Sequence, residues 1–207
     1  MNEAKEMARI TKLHYDYAET YNEDPKKFEA MMKNEAPDWI IQHDISDRGI
    51  MVADKDNKRV ISIKGTNPKS AKDILSDLAL AAGLHKSNTQ FIERKNQIKD
   101  IMRADKDKEY YLTGHSLGAS IGSYALTSSP SILRNTKKAY LFAPGSTPIF
   151  EAMLKPRKEN VTMVEEKVHT YKHANDPIAK TSGKFGQVFI TRKNKKGQNP
   201  HTILNWT

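Results

Sequence analysis

The sequence predicts an α/β fold in which a mostly parallel central sheet is flanked by helices. First, short runs rich in β-branched and aromatic residues alternate with longer segments that have helical apolar spacing. Second, this alternation is typical of parallel strands, because each crossover helix returns the chain to the same edge of the sheet. Third, the 207 residues contain no internal repeat and are enough for one core, so a single domain over residues 1–207 is expected.

The leading segment and the first strands follow from local patterns. Residues 1–35 are predicted to form leading helices, because Met7, Ile10 and Leu13 recur at helical spacing and Pro25 suits the first turn of a second helix. The core that carries the candidate site is predicted over residues 49–207. It begins with two strands, residues 49–54 and 59–65, joined by a polar hairpin tip.

The remaining elements alternate along the chain. Helices are predicted at residues 70–83, 89–103 and 116–128, with a short irregular helix before residue 160. Strands are predicted at residues 109–114, 137–145, 160–175 (with a break) and 186–193. The tail, residues 197–207, is predicted to be a loop that enters a turn of helix.

Composition excludes several classes of protein. The chain has no cysteine, which excludes a disulfide scaffold, a thiolate zinc site and a cysteine nucleophile. Its charged start is unlike a signal or transit peptide, and no run approaches the roughly 18 apolar residues of a membrane span. We therefore expect a cytoplasmic or otherwise intracellular protein, with a non-classical route of release left open.

The net charge of +9 raises the question of an anionic partner. Basic and acidic residues are interleaved over most of the chain and no basic-aromatic motif occurs, so no specific nucleic acid is expected. One concentrated patch stands out, formed by Arg192, Lys193, Lys195 and Lys196. It is read either as a solvated hairpin tip or as a site of peripheral contact with an anionic membrane surface. The sequence does not indicate an oligomeric state.

The stretch GHSLGA, residues 114–119, places a serine between a predicted strand and a predicted helix. A sharp turn there would expose the Ser116 hydroxyl, and it requires almost no side chain at Gly114 and Gly118. The helix amino terminus would also direct the Leu117 N–H toward a developing negative charge. The pattern therefore predicts that Ser116 is a nucleophile and that Leu117 supplies half of an oxyanion hole.

Chain order selects the partners of this serine. In the α/β-hydrolase arrangement the order is serine, acid, histidine. Asp176 is the only aspartate after Ser116, and His201 is the only histidine after Asp176. Asp176 follows a predicted strand and precedes a proline, whereas the competing acids combine no strand end with a turn: Glu151, Glu159, Glu165 and Glu166. We therefore predict a catalytic triad in which Asp176 orients His201 as the base for Ser116.

From about residue 49 to its end, the chain resembles the class 3 lipases. The resemblance rests on four stretches: GHSLGA, ISIKGTNPKSAKDILSDL, NDPI and HTILNW. It implies an α/β-hydrolase fold, an oxyanion role for Thr66 and a supporting role for Asp77. Lys64 and Ile74 stand where the family usually has arginine and tryptophan. Only a short segment, residues 79–88, is available for a lid, which implies a minimal or absent lid.

Together these patterns predict a serine ester hydrolase, a lipase or esterase that cleaves carboxylic ester bonds of acylglycerol-type lipids through an acyl-enzyme. The expected partner is a lipid or ester substrate, and neither a metal nor an organic cofactor is expected. Two related activities stay open, namely those of a phospholipase A1 and of a carboxylesterase for small esters. From another class, an inactive hydrolase scaffold that binds membranes or nucleic acid stays open.

Overall fold

A sheet whose strands follow one another in chain order forms the centre of this computed structural model, which describes residues 3–21, 23–65, 85–146, 148–191 and 199–207. Within these residues the strands are β1 (Ile40–Ile41), β2 (Ile50–Lys55), β3 (Lys58–Ile63), β4 (Glu109–His115), β5 (Thr136–Phe142), β6 (Val168–His173) and β7 (Gln187–Thr191). The strands from β1 to β3 pair antiparallel, and those from β3 to β7 pair in parallel. The loops after β4 and β6 therefore leave the sheet at the same edge.

Helices cover both faces of this sheet. The described helices are α1 (Glu3–Thr20), α2 (Pro25–Glu35), α3 (His85–Ala104), α4 (Leu117–Ser128), α5 (Pro130–Asn135), α6 (Pro148–Met153) and α7 (Val161–Lys167). The mostly parallel sheet with flanking helices is thus confirmed. In the described part of the chain, no helix combines the length and apolarity that a bilayer crossing requires.

The core has one cluster of apolar side chains on each face of the sheet. On one face, Ile10 and Leu13 of α1 are fully buried in a cluster with Phe142 of β5. On the other face, Ile98 of α3 and Ile121 of α4 belong to a second cluster. Burial of each such side chain contributes about 1.5–3 kcal/mol. These contacts fix α1 and α4 against the same central strands, one on each face.

The predicted leading helices and the first hairpin are present. Pro25 begins α2, and the Asp24 carboxylate caps this helix by accepting a hydrogen bond from the Lys27 N–H at 3.0 Å. The hairpin tip between β2 and β3 contains Asp56 with a φ of 53°, a left-handed conformation that aspartate tolerates in tight turns.

One predicted element and one predicted boundary were wrong, and two elements were missed. The segment predicted as one strand over residues 160–175 is helix α7 followed by strand β6. Its valines favoured a strand, but Val161 and Val164 have helical spacing and only Val164 is buried. Helix α3 begins at His85, four residues before the predicted start. The short strand β1 and helix α5 were not predicted.

Part of the predicted first crossover lies outside the described residues. This applies to the helix predicted at residues 70–83 and to the greater part of the short lid segment, residues 79–88. The last four residues of that segment form the first turn of α3.

Candidate active site

Ser116 stands at the sharp turn between β4 and α4, where its backbone is strained. Its φ of 58° and ψ of −124° lie outside the regions that residues with a side chain prefer. Such a conformation costs on the order of 1–3 kcal/mol and persists only where surrounding contacts hold it. Here the Ser116 N–H donates to the Phe142 carbonyl at 3.0 Å, and the Ser116 carbonyl accepts from the Ser120 N–H at 3.1 Å. The turn thereby places the Ser116 hydroxyl at the carboxyl end of β4.

Gly114 and Gly118 leave the space that this turn needs. A Cβ at Gly118 would lie 2.1 Å from the Ile63 carbonyl oxygen, and a Cβ at Gly114 would lie 2.8 Å from the Gly118 carbonyl carbon. Both contacts are to backbone atoms, so no side-chain rotation could relieve them. Glycine is therefore required at these two positions, as the sequence predicts, because β3, β4 and α4 approach one another closely.

The side chains of Ser116, His201 and Asp176 form a continuous hydrogen-bonded chain. His201 Nε2 lies 2.9 Å from Ser116 Oγ, and His201 Nδ1 lies 2.7 Å from Asp176 Oδ2. All three residues are buried, with exposures of 0 to 2%. The structure thus brings together the three residues that chain order selects.

The chemistry of the groups gives this chain a direction. A carboxylate oxygen can only accept a hydrogen bond, so His201 Nδ1 carries the proton that points to Asp176. In a neutral imidazole Nε2 is then unprotonated, and it accepts the hydrogen bond from the Ser116 hydroxyl. A lone pair is therefore positioned to take a proton from a hydroxyl nucleophile.

Backbone and side-chain hydrogen bonds hold Asp176 and His201 in place. Asp176 lies in the turn after β6, where its N–H donates to the His173 carbonyl at 3.0 Å. The second oxygen of its carboxylate, Oδ1, accepts from the Ile178 N–H at 2.8 Å. The N–H of His201 donates to Asn199 Oδ1 at 2.9 Å. Both residues are thus fixed independently of their contact with each other.

The sequence profile of the family described as Lipase (class 3) matches residues 65–186, more than half of the 207 residues. The chain belongs to the class 3 lipase family. The predicted resemblance to this family is therefore confirmed, and membership supports lipase-type ester hydrolysis. The match contains Ser116 and Asp176, whereas His201 and helix α1 lie outside it. Comparison with curated protein sequences gives no match.

Solved structures, two of them lipases from Rhizopus, resemble the fold over most of this chain. A lipase from Rhizopus microsporus var. chinensis is 15% identical with a TM-score of 0.59, covering 93% of this chain and 75% of that chain. Lipase II from Rhizopus niveus is 17% identical with a TM-score of 0.53, covering 86% and 72%. A mutant of MDLA from Penicillium cyclopium is 12% identical with a TM-score of 0.57, covering 96% and 82%. At these identities the likeness shows the fold, and that fold is the α/β-hydrolase fold.

The predicted oxyanion residues are described only in part. Leu117 is the first residue of α4, where backbone N–H groups have no partner within the helix. Thr66 and Asp77 lie outside the described residues. Gly65, which directly precedes Thr66, packs against the serine turn: a Cβ at Gly65 would lie 2.4 Å from the His115 carbonyl oxygen. Gly65, the last described residue before Thr66, therefore lies beside the serine turn.

Sequence reasoning assigned no partner to two residues beside the triad, His115 and Tyr15. His115 Nε2 lies 2.7 Å from the His201 carbonyl oxygen, and His115 Nδ1 lies 3.1 Å from the Tyr15 hydroxyl. Burial, and to a lesser degree the nearby His201, lower the pKa of His115 to about 3. No local pattern joins Tyr15 to His115 across 100 positions, so the contact emerges only when α1 packs on the sheet.

A second strained residue lies close to the site. Ala143, directly after β5, has a φ of 46°, and its N–H donates to the Tyr171 carbonyl at 2.7 Å. The Ser120 hydroxyl donates to the Gly145 carbonyl at 2.7 Å and so ties α4 to the same loop. Strained backbone concentrates at sites where the surrounding structure imposes it. Of the three positive-φ residues other than glycine in the described chain, two, Ser116 and Ala143, follow neighbouring strands at this edge.

Two further histidines, His169 and His173 of β6, have partners outside the triad. The His169 ring lies 5.3 Å from the Phe189 ring, and His173 Nδ1 accepts from the Asn175 N–H at 3.1 Å. Among the described residues, no group of three or more histidine, aspartate or glutamate side chains is placed to hold a metal ion.

A separate cavity of about 560 Å³ lies between α6, α7 and the start of β7. Its lining includes apolar and charged side chains, such as Leu154, Val164, Phe185 and Lys184. Among the residues that the structure describes, this lining contains neither serine nor histidine and shares no residue with the triad. The described lining of this cavity therefore offers no hydroxyl nucleophile with an imidazole base, as Ser116 and His201 do.

Proposed function

We propose that the protein is a serine ester hydrolase that cleaves carboxylic ester bonds of acylglycerol-type lipids. The observation that carries this proposal is the buried hydrogen-bonded chain from Ser116 through His201 to Asp176, in a member of the class 3 lipase family. A serine hydroxyl becomes an effective nucleophile only with such a base beside it. The strained turn and the helix amino terminus at Leu117 support the same chemistry.

In the first half of the reaction, Ser116 Oγ attacks the ester carbonyl carbon while His201 Nε2 takes the hydroxyl proton. The carbonyl oxygen becomes an oxyanion, and the imidazolium of His201 is stabilised by the Asp176 carboxylate. When the tetrahedral intermediate collapses, the bond to the alcohol oxygen breaks, and His201 returns its proton to that oxygen. The acyl group is then left as an ester on Ser116.

In the second half, water replaces the alcohol. His201 Nε2 takes a proton from the water as its oxygen attacks the acyl carbon, and a second oxyanion forms. Collapse of this intermediate breaks the bond to Ser116 Oγ, which regains the proton from His201. The products are a carboxylic acid and the free enzyme, and every step uses only protein groups and water.

The Leu117 N–H and Thr66 are proposed to hold the oxyanion in both halves. Helix α4 directs positive potential toward its amino terminus, where Leu117 stands. Removal of one such donor typically costs about 3 kcal/mol of transition-state stabilisation. Asp77 is proposed to support the Thr66 segment, as the family resemblance implies.

The proposal predicts covalent labelling and ester turnover. We expect the purified protein to react with a fluorescent fluorophosphonate probe and to hydrolyse p-nitrophenyl esters, because both reactions need an activated serine. Labelling is read by in-gel fluorescence after short incubation, with heat-unfolded protein as control. A folded protein that neither reacts with the probe nor hydrolyses any ester of a chain-length series would refute the proposal and favour the inactive binding scaffold.

The same assay separates the related activities. Triacylglycerol emulsions, phospholipid vesicles and soluble short-chain esters are compared at equal ester concentration. Preference for the emulsion supports the lipase, preference for vesicles supports the phospholipase A1, and preference for the soluble esters supports the carboxylesterase.

We also propose a peripheral contact between β7 and an anionic membrane surface. β7 is an edge strand of the described sheet, and it exposes 42% of Phe189 and 65% of Ile190. Four basic residues follow in the sequence: Arg192, Lys193, Lys195 and Lys196. Each basic residue close to an anionic bilayer contributes about 1 kcal/mol, and exposed apolar side chains add insertion between the headgroups.

Replacement of both Phe189 and Ile190 by serine is expected to weaken binding to anionic vesicles by roughly 10-fold, because the inserted apolar surface is lost. Cosedimentation with phosphatidylglycerol vesicles measures this binding. Ile40→Ser is the matched control, since Ile40 is 68% exposed on the opposite edge strand β1. Equal losses in both variants, or equal binding of the unaltered protein to neutral vesicles, would contradict the contact.

A further inference from the structure

Two residues that the proposed reaction does not use connect helix α1 to the catalytic histidine. The Tyr15 hydroxyl lies 3.1 Å from His115 Nδ1, and His115 Nε2 lies 2.7 Å from the carbonyl oxygen of His201. His115 is buried, with 3% of its surface exposed, and it directly precedes Ser116. The imidazole of His115, the residue before the nucleophile, therefore joins Tyr15 of α1 to the backbone of the base, His201.

The hydrogen atoms in this link can be assigned. The His201 carbonyl oxygen only accepts, so His115 Nε2 must carry the proton of a neutral ring. His115 Nδ1 then accepts, and the Tyr15 hydroxyl donates to it. The low pKa of His115, about 3, keeps the ring neutral, so no second positive charge opposes the imidazolium that forms on His201.

Gly65 packs against the same link. Its Cα lies beside the Tyr15 hydroxyl, and burial raises the pKa of Tyr15, so this hydroxyl keeps its proton and can donate it to His115. A Cβ at Gly65 would lie 2.7 Å from the Tyr15 hydroxyl oxygen and 2.4 Å from the His115 carbonyl oxygen, and the second contact, to backbone, requires glycine. The donors thus run in one direction, from Tyr15 to His115 and on to His201. Hydrogen bonds aligned in this way strengthen one another in a buried site.

We propose that Tyr15 and His115 are positioning residues that fix the backbone of His201 relative to Ser116 and Gly65. This inference rests on the proposed function, because it assigns their effect to the reaction of Ser116. It gives helix α1, which lies outside the region matched by the family profile, a direct part in the geometry of the site. Small displacements of reacting groups lower rates strongly, so a lost anchor should appear in kcat.

The test compares two tyrosines that join α1 to the sheet. Tyr15→Phe removes the hydroxyl that donates to His115. Tyr140→Phe removes a hydroxyl that donates to Glu3 of α1 and contacts no triad residue. We expect Tyr15→Phe to lower kcat for a soluble p-nitrophenyl ester by about 10-fold, equivalent to about 1.4 kcal/mol, with KM changed by less than about 2-fold. Tyr140→Phe should leave kcat within about 2-fold while lowering the melting temperature.

A second pair of variants tests the same link through His115. Glutamine places an N–H at about the position of His115 Nε2, whereas leucine offers neither donor nor acceptor. We expect His115→Gln to lower kcat about as much as Tyr15→Phe, because glutamine keeps the donor to the His201 carbonyl and loses only the acceptor of the Tyr15 hydroxyl. His115→Leu loses both partners and should lower kcat by about 100-fold.

The outcomes separate this inference from the function on which it rests. Unchanged kcat in Tyr15→Phe, equal losses in the two tyrosine variants, or equal losses in the two His115 variants would overturn the positioning role while leaving a labelled, active enzyme. An unaltered protein that neither binds the fluorophosphonate probe nor hydrolyses esters would overturn both.

Discussion

Replacing Ser116 with alanine is expected to lower kcat for ester hydrolysis by on the order of 10⁴-fold or more. The substitution removes the attacking oxygen, so no acyl-enzyme can form. It leaves the Leu117 N–H and the rest of the site, which sustain only the small residual rate of direct water attack. The main-chain strain at Ser116 does not forbid alanine, since the serine that adopts this conformation already carries a Cβ. The variant should therefore fold and still bind substrate.

The measurement is kcat for a short p-nitrophenyl ester, together with fluorophosphonate labelling and a thermal unfolding curve. Ser123→Ala is the matched control, because Ser123 is a buried serine of α4, the helix that follows Ser116, and its hydroxyl donates to the Ala119 carbonyl at 3.0 Å. It should keep full labelling and near-normal kcat. If the Ser116 variant retained labelling and turnover, another residue would be the nucleophile, and the proposed mechanism would be refuted.

The position of Ser116 shows how the fold prepares its chemistry. Packing of β3, β4 and α4 leaves no room for a Cβ at Gly118, and that same packing holds the serine at a φ of 58°. Packing in the folded chain offsets the free energy that this strained conformation costs, so the reaction does not have to provide it. His201 reaches the hydroxyl from the segment after β7, and the hydrogen bond from its N–H to Asn199 Oδ1 restrains its backbone.

Much of this site could be predicted from the sequence, because its residues are marked either by a local motif or by their order along the chain. GHSLGA has a backbone requirement that only glycine meets, and the structure reproduces its physical cause at Gly114 and Gly118. Chain order reduced the choice of acid to Asp176 and of base to His201, and the structure brings both to Ser116. The parallel sheet followed from the alternation of strands and helices.

The rest depended on contacts between distant segments. Helix α7 was mistaken for a strand because its valines favour extended chain. Over seven residues with one buried side chain, Val164, the apolar pattern does not distinguish helical spacing from the alternation of a strand. The link from Tyr15 to His115 spans 100 positions and has no sequence signature. Thr66 and Asp77 stay predictions that rest on the family resemblance.

Replacing Asp176 with asparagine is expected to lower kcat by on the order of 10⁴-fold with little change in the fold. Asp176 Oδ2 accepts the hydrogen bond from His201 Nδ1 at 2.7 Å. An amide nitrogen in that place would donate instead, so Nδ1 would become the acceptor and Nε2 would carry the proton. The Ser116 hydroxyl would then face a donor, and His201 could no longer take its proton. The lost carboxylate would also leave the imidazolium of the transition state without its counter-charge.

The matched control for this variant is Asp54→Asn, which replaces a carboxylate that pairs with Arg59 through bonds of 2.7 and 2.8 Å. Arg59 is itself buried, so the control should lower the melting temperature while kcat stays within about 2-fold. Asp176→Asn should show the opposite result, because its side chain orients a base and its Oδ1 bond to the Ile178 N–H can be kept by the amide oxygen. If Asp176→Asn retained kcat within about 10-fold, tautomer control by Asp176 would be wrong, and the His201 loop alone would have to orient the base.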